Sequence, residues 1–177
     1  MNAVQVLDKN FVPFISKKEI EERIKVIANE LNKDYKDKNP LFIVVLNGAF
    51  MFASDIFKLF ETNASVSFVK LKSYEGTEST NQLQTILDIK EDIENRELII
   101  VEDIVDTGFT LFHFIASLQQ RKPSSITICS LLQKPDALKF PLEVKYVGFE
   151  IENKFVIGYG LDYDDFGRNI PSIYQLA

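Results

Sequence analysis

The chain has a single cysteine in 177 residues, Cys129, inside the apolar stretch Ile126 to Leu132. One thiol builds neither a disulfide framework nor a thiolate metal cluster within one chain, so Cys129 is expected to be a buried structural thiol. Basic residues are also short, with 20 Lys and Arg against 26 Asp and Glu, a net charge of −6. That sign excludes binding to nucleic acid or an anionic membrane by bulk charge, so any anionic ligand must be gripped locally. No apolar run approaches the roughly 18 residues of a membrane span. The first residues, MNAVQVLDKNF, lack a basic segment followed by an apolar one, and a soluble cytoplasmic protein is expected. The one histidine, His113, falls off the apolar face of its segment and reads as a solvated or rim residue. Neither G-x-G-x-x-G nor G-x-x-x-x-G-K-[ST] occurs, which removes a dinucleotide-binding turn and a nucleotide triphosphatase loop. There is no internal repeat and no linker.

What is present fits one domain over residues 1–177, with 46% hydrophobic and 12% aromatic content to fill one core. Ser16-Lys17-Lys18-Glu19 has the form of a capping box, and Ile20, Ile24, Ile27 and Leu31 follow at helical spacing. After the polar turn Asp34 to Pro40, Leu41 to Leu46 reads as a buried strand, broken by Asn47-Gly48. Ala49 to Phe60 is helical in pattern, and Val66 to Lys72 is a second strand. Tyr74 to Gln84 has one leucine and no period, so it is expected to be a long loop of the kind that serves as a lid. Thr85 to Ile89, Leu98 to Val101, Ile126 to Leu132, Val144 to Ile151 and Phe155 to Leu161 read as further strands. Leu111, Phe114, Ile115 and Leu118 mark the inner face of a helix. Strands alternating with helices predict an α/β fold around a largely parallel sheet.

The densest chemistry is VEDIVDTGFT, Val101 to Thr110, three acids directly behind an apolar run and ahead of Thr-Gly-x-Thr. In open α/β sheets, ligands bind beyond the carboxyl ends of strands. A strand-to-helix turn with Gly108, the hydroxyls of Thr107 and Thr110, and a helix N-terminus grips phosphate. Glu102 and Asp103 can accept from vicinal sugar hydroxyls or hold Mg²⁺ through water, which leaves Asp106 to take a proton. An acidic turn that merely caps a helix does not require all of these together. A receiver-like phospho-acceptor pocket gathers acids at strand ends, but has no reason to carry the Thr-Gly-x-Thr cradle.

This motif resembles the phosphoribosyl-pyrophosphate motif of the type I phosphoribosyltransferases, and Asp106 within it resembles the 6-oxopurine branch, the hypoxanthine-guanine phosphoribosyltransferases. Leu71-Lys72-Ser73-Tyr74 resembles the start of that branch's mobile loop. Leu131 to Lys134 resembles its purine-contacting segment, and Val147 to Ile151 through Arg168 its hood. The resemblance implies a core over about residues 37–135, with a hood from the N-terminal and C-terminal segments. It implies that Asp106 to Thr110 binds the 5-phosphate, that Glu102 and Asp103 meet the ribose hydroxyls and metal, and that Asp106 is the base for the purine's ring nitrogen 7. Lys134 would donate to the 6-oxo group and Phe155 would stack on the purine. Val156 and Asp162 would offer carbonyls near its 2-position, Asp162 would also reach a second Mg²⁺, and Arg168 would meet pyrophosphate. Ser73 and Tyr74 stand at the lid's hinge.

One position departs from the family. Where its pyrophosphate loop commonly reads Leu-Lys-Gly-Gly, this chain has Leu46-Asn47-Gly48-Ala49, so the amides of Asn47 and Gly48 remain but the lysine charge does not. The residue after Gly108 is Phe109, where the family often has an aliphatic or cationic one. The implied activity is Mg²⁺-dependent transfer of a phosphoribosyl group from phosphoribosyl pyrophosphate to hypoxanthine, and also guanine, in a homodimer or homotetramer. The alternatives are a non-catalytic nucleotide-binding regulator on the same fold and a xanthine-preferring transferase.

Overall fold

The computed structural model describes residues 2–73 and 83–177. In chain order these form β1 (Val4–Val6), β2 (Lys9–Ile15), α1 (Lys17–Asp34), β3 (Leu41–Leu46), α2 (Phe50–Lys58), β4 (Ser65–Ser73) and β5 (Leu83–Leu87). Then follow β6 (Glu97–Val105), α3 (Phe109–Gln119), β7 (Ser125–Gln133), β8 (Tyr146–Glu150), β9 (Val156–Ile157) and β10 (Ile173–Leu176). A six-stranded sheet has the order β5-β4-β3-β6-β7-β8, parallel throughout except for the antiparallel β4–β5 pair. A second sheet, β1-β2-β10-β9, is antiparallel and joins the two ends of the chain.

β3 reads LFIVVL with no polar position because both of its faces are covered. Phe42 and Val44 pack with Ile20, Ile24, Ile27, Leu31, Phe52 and Ile56 from α1 and α2. Leu41, Ile43 and Val45 face the other way, into Leu111, Phe114 and Leu118 of α3. Cys129 is fully buried in the first of these clusters. α1 begins with the expected box: the Ser16 hydroxyl accepts from the Glu19 amide, and the Glu19 carboxylate accepts from Ser16 N at 2.9 Å.

The structure revises several boundaries. β6 continues four residues past Val101, and β5 starts at Leu83, so Leu83 and Gln84 belong to a strand and not to the expected loop. The rest of that segment, from Tyr74 on, lies outside the described residues. Of Phe155 to Leu161 only Val156–Ile157 is a strand, since Gly158, Tyr159 and Gly160 all have positive φ and cannot extend it. β1, β2 and β10 were not foreseen.

Candidate active site

The chain leaves β3 toward β4 on one side and leaves β6 toward β7 on the other. The point where strand order reverses therefore lies between β3 and β6, and a crevice opens there beyond the strand ends. β3 pairs with β6 only as far as Val44 opposite Val101. On its other edge β6 stays paired with β7 through Val105 opposite Gln133. Glu102 and Asp103 thus stand on strand backbone with the β3 edge free. The loop Asn47–Ala49 fills that edge, and the Leu46–Asn47 peptide bond is cis. A Cβ built on Gly48 would lie 1.5 Å from Asp103 Oδ2, so only glycine lets the carboxylate and this loop share the space.

Glu102 is buried, and its Oε1 accepts from Asp103 N at 3.1 Å. Burial, and then the negative charge of Asp103, raise its pKa well above the ordinary carboxylate range. Asp103 is raised by burial as well, while its bonds to Glu102 and to Ile104 N and the charge of Arg168 pull the other way. An acid pair in this state has its negative charge incompletely compensated.

Beside Glu102 lies a cavity of ≈ 210 Å³ lined by Asp106 to Thr110 together with Glu102, Val45 and Leu71. Gly108 precedes α3 with φ 81°, and a Cβ there would approach Leu138 and Leu142 to 2.9 Å. Gly108 offers no capping side chain to α3 and Thr107 Oγ1 accepts only a long 3.4 Å bond from Phe109 N, so the helix start keeps the donors and partial positive charge that bind anions. α1, closed by its own Ser16 box, offers no such end.

Lys134 emerges where β7 stops and is buried, with its ammonium 2.7 Å from Asp106 Oδ2 and 3.3 Å from Asn153 Oδ1. An ammonium has three donors, so one remains for a ligand among the described residues. Phe155 is 45% exposed at the start of the hood, edge-on to Tyr163 at 5.9 Å and tilted against Phe11 at 6.2 Å. Val156 is buried in β9. Arg168 donates from Nη1 to Gly160 O at 2.9 Å and from Nη2 to Asp162 Oδ1 at 2.8 Å and Asp165 Oδ1 at 3.0 Å. The other oxygen of Asp162 accepts from Asp165 N at 2.8 Å. Ser73 ends β4, two residues beyond Leu71 of the cavity wall, and Tyr74 lies outside the described residues.

The acids, the glycine-threonine turn, the Gly48 loop and Lys134 therefore converge on one crevice. His113 is exposed among the rings of Phe109, Phe112 and Phe140 and takes no part. Sequence reasoning missed Asn153, the second partner of Lys134, for which no pattern gave a signal. It also missed Gly160, whose Cβ would lie 2.0 Å from Gly48 O. The close spacing of Gly158 and Gly160 was the available clue.

A model of the phosphoribosyl transferase domain matches residues 16–164. The hypoxanthine-guanine-xanthine phosphoribosyltransferase of Tritrichomonas foetus is 40% identical over 156 residues, 88% of this chain and 85% of that protein. The hypoxanthine-guanine phosphoribosyltransferase of Staphylococcus aureus is 42% identical over 163 residues, 92% of this chain and 91% of its own. A crystal structure of a hypoxanthine phosphoribosyltransferase from Staphylococcus aureus superposes with TM-score 0.90 at 41% identity, covering 94% of this chain and 91% of that one.

Proposed function

This chain belongs to the phosphoribosyl transferase family, and from that premise we propose that it is a purine-salvage enzyme. It transfers a phosphoribosyl group from phosphoribosyl pyrophosphate to hypoxanthine and guanine, giving IMP or GMP and pyrophosphate. The observation that carries the reading is the Asp106–Lys134 pair at 2.7 Å on the rim of the glycine-threonine cavity. A phosphate held by the Asp106 to Thr110 turn leaves the sugar over Glu102 and Asp103 and brings its anomeric carbon toward this pair. The bond from that carbon to the purine's ring nitrogen 9 forms as the bond to pyrophosphate oxygen breaks. Asp106 accepts the proton that leaves nitrogen 7. The remaining Lys134 donor meets the 6-oxo group, and Asp106 and Asn153 hold the ammonium in place. An exocyclic amino group offers no comparable acceptor, so adenine is refused. Phe155 provides the aromatic face for the base, near the Val156 and Asp162 carbonyls, with Ser73 and Tyr74 at the hinge of a closing loop.

Among the described residues no three His, Cys, Asp or Glu side chains form a ready cation cage. Mg²⁺ does not ask for one, because it takes one or two carboxylates and completes its shell with water and substrate oxygens. Glu102 and Asp103, hard oxygen donors with uncompensated charge, fit that demand. Asp162 fits once it gives up Arg168, which then turns to pyrophosphate. The metal supplies charge neutralisation at the leaving pyrophosphate, and the amides of Asn47 and Gly48 add donors without the family's lysine. The protein works in the cytoplasm as a homo-oligomer, independent of nucleic acid and membrane.

A coupled assay with phosphoribosyl pyrophosphate, Mg²⁺ and four bases tests the reading. Hypoxanthine and guanine are turned over and adenine is not. Xanthine is the informative third arm, given the Tritrichomonas relative. Lys134→Ala lowers kcat/KM for hypoxanthine by about 1 to 3 kcal/mol of transition-state stabilisation, the range for one charged hydrogen bond. No turnover with any base would return the chain to a nucleotide-binding regulator.

A further inference from the structure

We propose that Tyr159 and Asp55 form a pin that holds the Arg168 turn against the Asn47–Ala49 loop, making them positioning residues for the pyrophosphate end of the donor substrate. The inference rests on the function proposed above and adds two residues that contact none of the reacting groups.

Three observations support it. Tyr159 is buried in the turn after β9, and its hydroxyl donates to Asp55 Oδ2 on α2. Lys58 Nζ lies 2.6 Å from the other oxygen of Asp55, which leaves Oδ2 to the phenol. Burial and then the hydrogen bond to Asp55 keep the phenol's pKa far above its ordinary value, so it remains a donor.

On one side of the pin, α2 grows directly out of the loop. Ala53 N donates to Ala49 O at 2.8 Å and Ala49 N to Val45 O at 3.3 Å, so a shift of α2 carries the loop with it. On the other side, the Tyr159–Gly160 turn is the handle of Arg168. Gly160 N donates to Arg168 O at 3.0 Å, Arg168 Nη1 returns to Gly160 O at 2.9 Å, and Tyr159 N donates to Ile170 O at 2.7 Å.

Between the two sides, Gly160 rests on the Gly48 carbonyl with no room for a Cβ, and Gly48 in turn rests on the Asp103 carboxylate with no room for one. The Arg168 turn, through Gly160, the loop and the Asp103 carboxylate are therefore stacked in close contact. The phenol-carboxylate bond is the side-chain tie across that stack. Loosening it lets the Arg168 turn and the loop part by a fraction of an ångström. Groups that must clasp pyrophosphate from two sides feel this directly, whereas the purine contacts at Lys134 and the phosphate turn at Asp106 to Thr110 lie on other elements.

Calorimetric titration separates these effects. Wild type, Tyr159→Phe, Asp55→Ala and Asp55→Asn are each titrated with Mg²⁺-phosphoribosyl pyrophosphate, Mg²⁺-pyrophosphate and IMP, which carries no pyrophosphate. Tyr159→Phe and Asp55→Ala weaken both pyrophosphate-bearing ligands roughly tenfold, the scale of one hydrogen bond to a charged group, and change IMP affinity by less than about twofold. Asp55→Asn keeps an amide oxygen that accepts from the phenol and restores near-wild-type affinity. Equal losses for IMP and phosphoribosyl pyrophosphate, or no loss for either, would overturn the pin. A wild-type protein that binds none of the three ligands would instead overturn the transferase reading, and that outcome is visible before any variant is made.

Discussion

At the scale of single residues, each acid of the VEDIVDTGFT stretch has a different environment. Glu102 is enclosed, Asp103 lies against the Gly48 backbone, and Asp106 reaches out to Lys134. Residue type and order were enough to single out these three acids, because carboxylates clustered at a strand end ahead of a glycine-threonine turn are unusual locally. Lys134, at a strand end where lysine is ordinarily solvent-facing, was singled out only through family resemblance. Their division of labour was legible only through family resemblance, since it depends on side-chain directions that spacing does not encode. If Asp106 is the proton acceptor, Asp106→Asn keeps an oxygen for Lys134 but loses basicity. Its kcat then falls roughly 10² to 10⁴-fold with little change in KM for phosphoribosyl pyrophosphate. Near-normal turnover with a collapsed substrate affinity would instead make Asp106 a binding residue. Asn153 illustrates what a sequence hides: it lies on an exposed turn 19 residues from Lys134 and meets it only because β7 and β8 run in parallel.

At the scale of elements, legibility followed length and burial. β3 and β7 carry long apolar runs and were found nearly to the residue, and α1 and α3 were found from their apolar faces. β9 has two residues, β10 four, and β2 contains Pro13 within KNFVPFI. Short segments with a proline carry too little pattern to register, and their pairing is long-range. The end of α1 shows a boundary set by tertiary contact. An aspartate in a last helical turn opposes the helix dipole, and Asp34 read from sequence as the start of a turn. It stays helical because its Oδ2 accepts from Lys145 Nζ and from Tyr146 OH, both at 2.7 Å, which ties α1 to β8. Those two bonds lower its pKa below the ordinary 3.8. A carboxylate lowered in this way adds stability above its unfolded pKa and loses it as pH falls through the folded value. Asp34→Asn is therefore destabilising at pH 7 by about 0.2 to 1 kcal/mol, a range discounted for exposure. The gap to wild type in urea midpoint narrows as pH drops below 3.8. A gap independent of pH would assign the effect to packing.

At the scale of the whole molecule, one face is unusually apolar. Phe50, Val66 and Phe68 are 45%, 38% and 44% exposed around a groove whose floor is Phe42, Val44 and Phe57. Core-like side chains left on a surface mark a contact face, and a second copy of the chain is the occupant that the proposed homo-oligomer supplies. Phe68→Glu places a charge at the centre of this face and dissociates the oligomer in sedimentation velocity. A wild-type monomer, or an unchanged Phe68→Glu assembly, would remove the face from that role.

The antiparallel sheet has a consequence for how the protein comes off the ribosome. β10 lies between β2 and β9, so β2 waits for a partner made 158 residues later, from Ile15 to Ile173. At the usual pace of about 5 to 20 residues per second that wait lasts roughly 8 to 32 seconds. Only in the last part of that interval, once β8 has been made through Glu150, can the six-stranded sheet be complete with its acid pair in place. Phe11 meanwhile lacks its late-made partners Ile157 and Tyr174 and stands open to a chaperone.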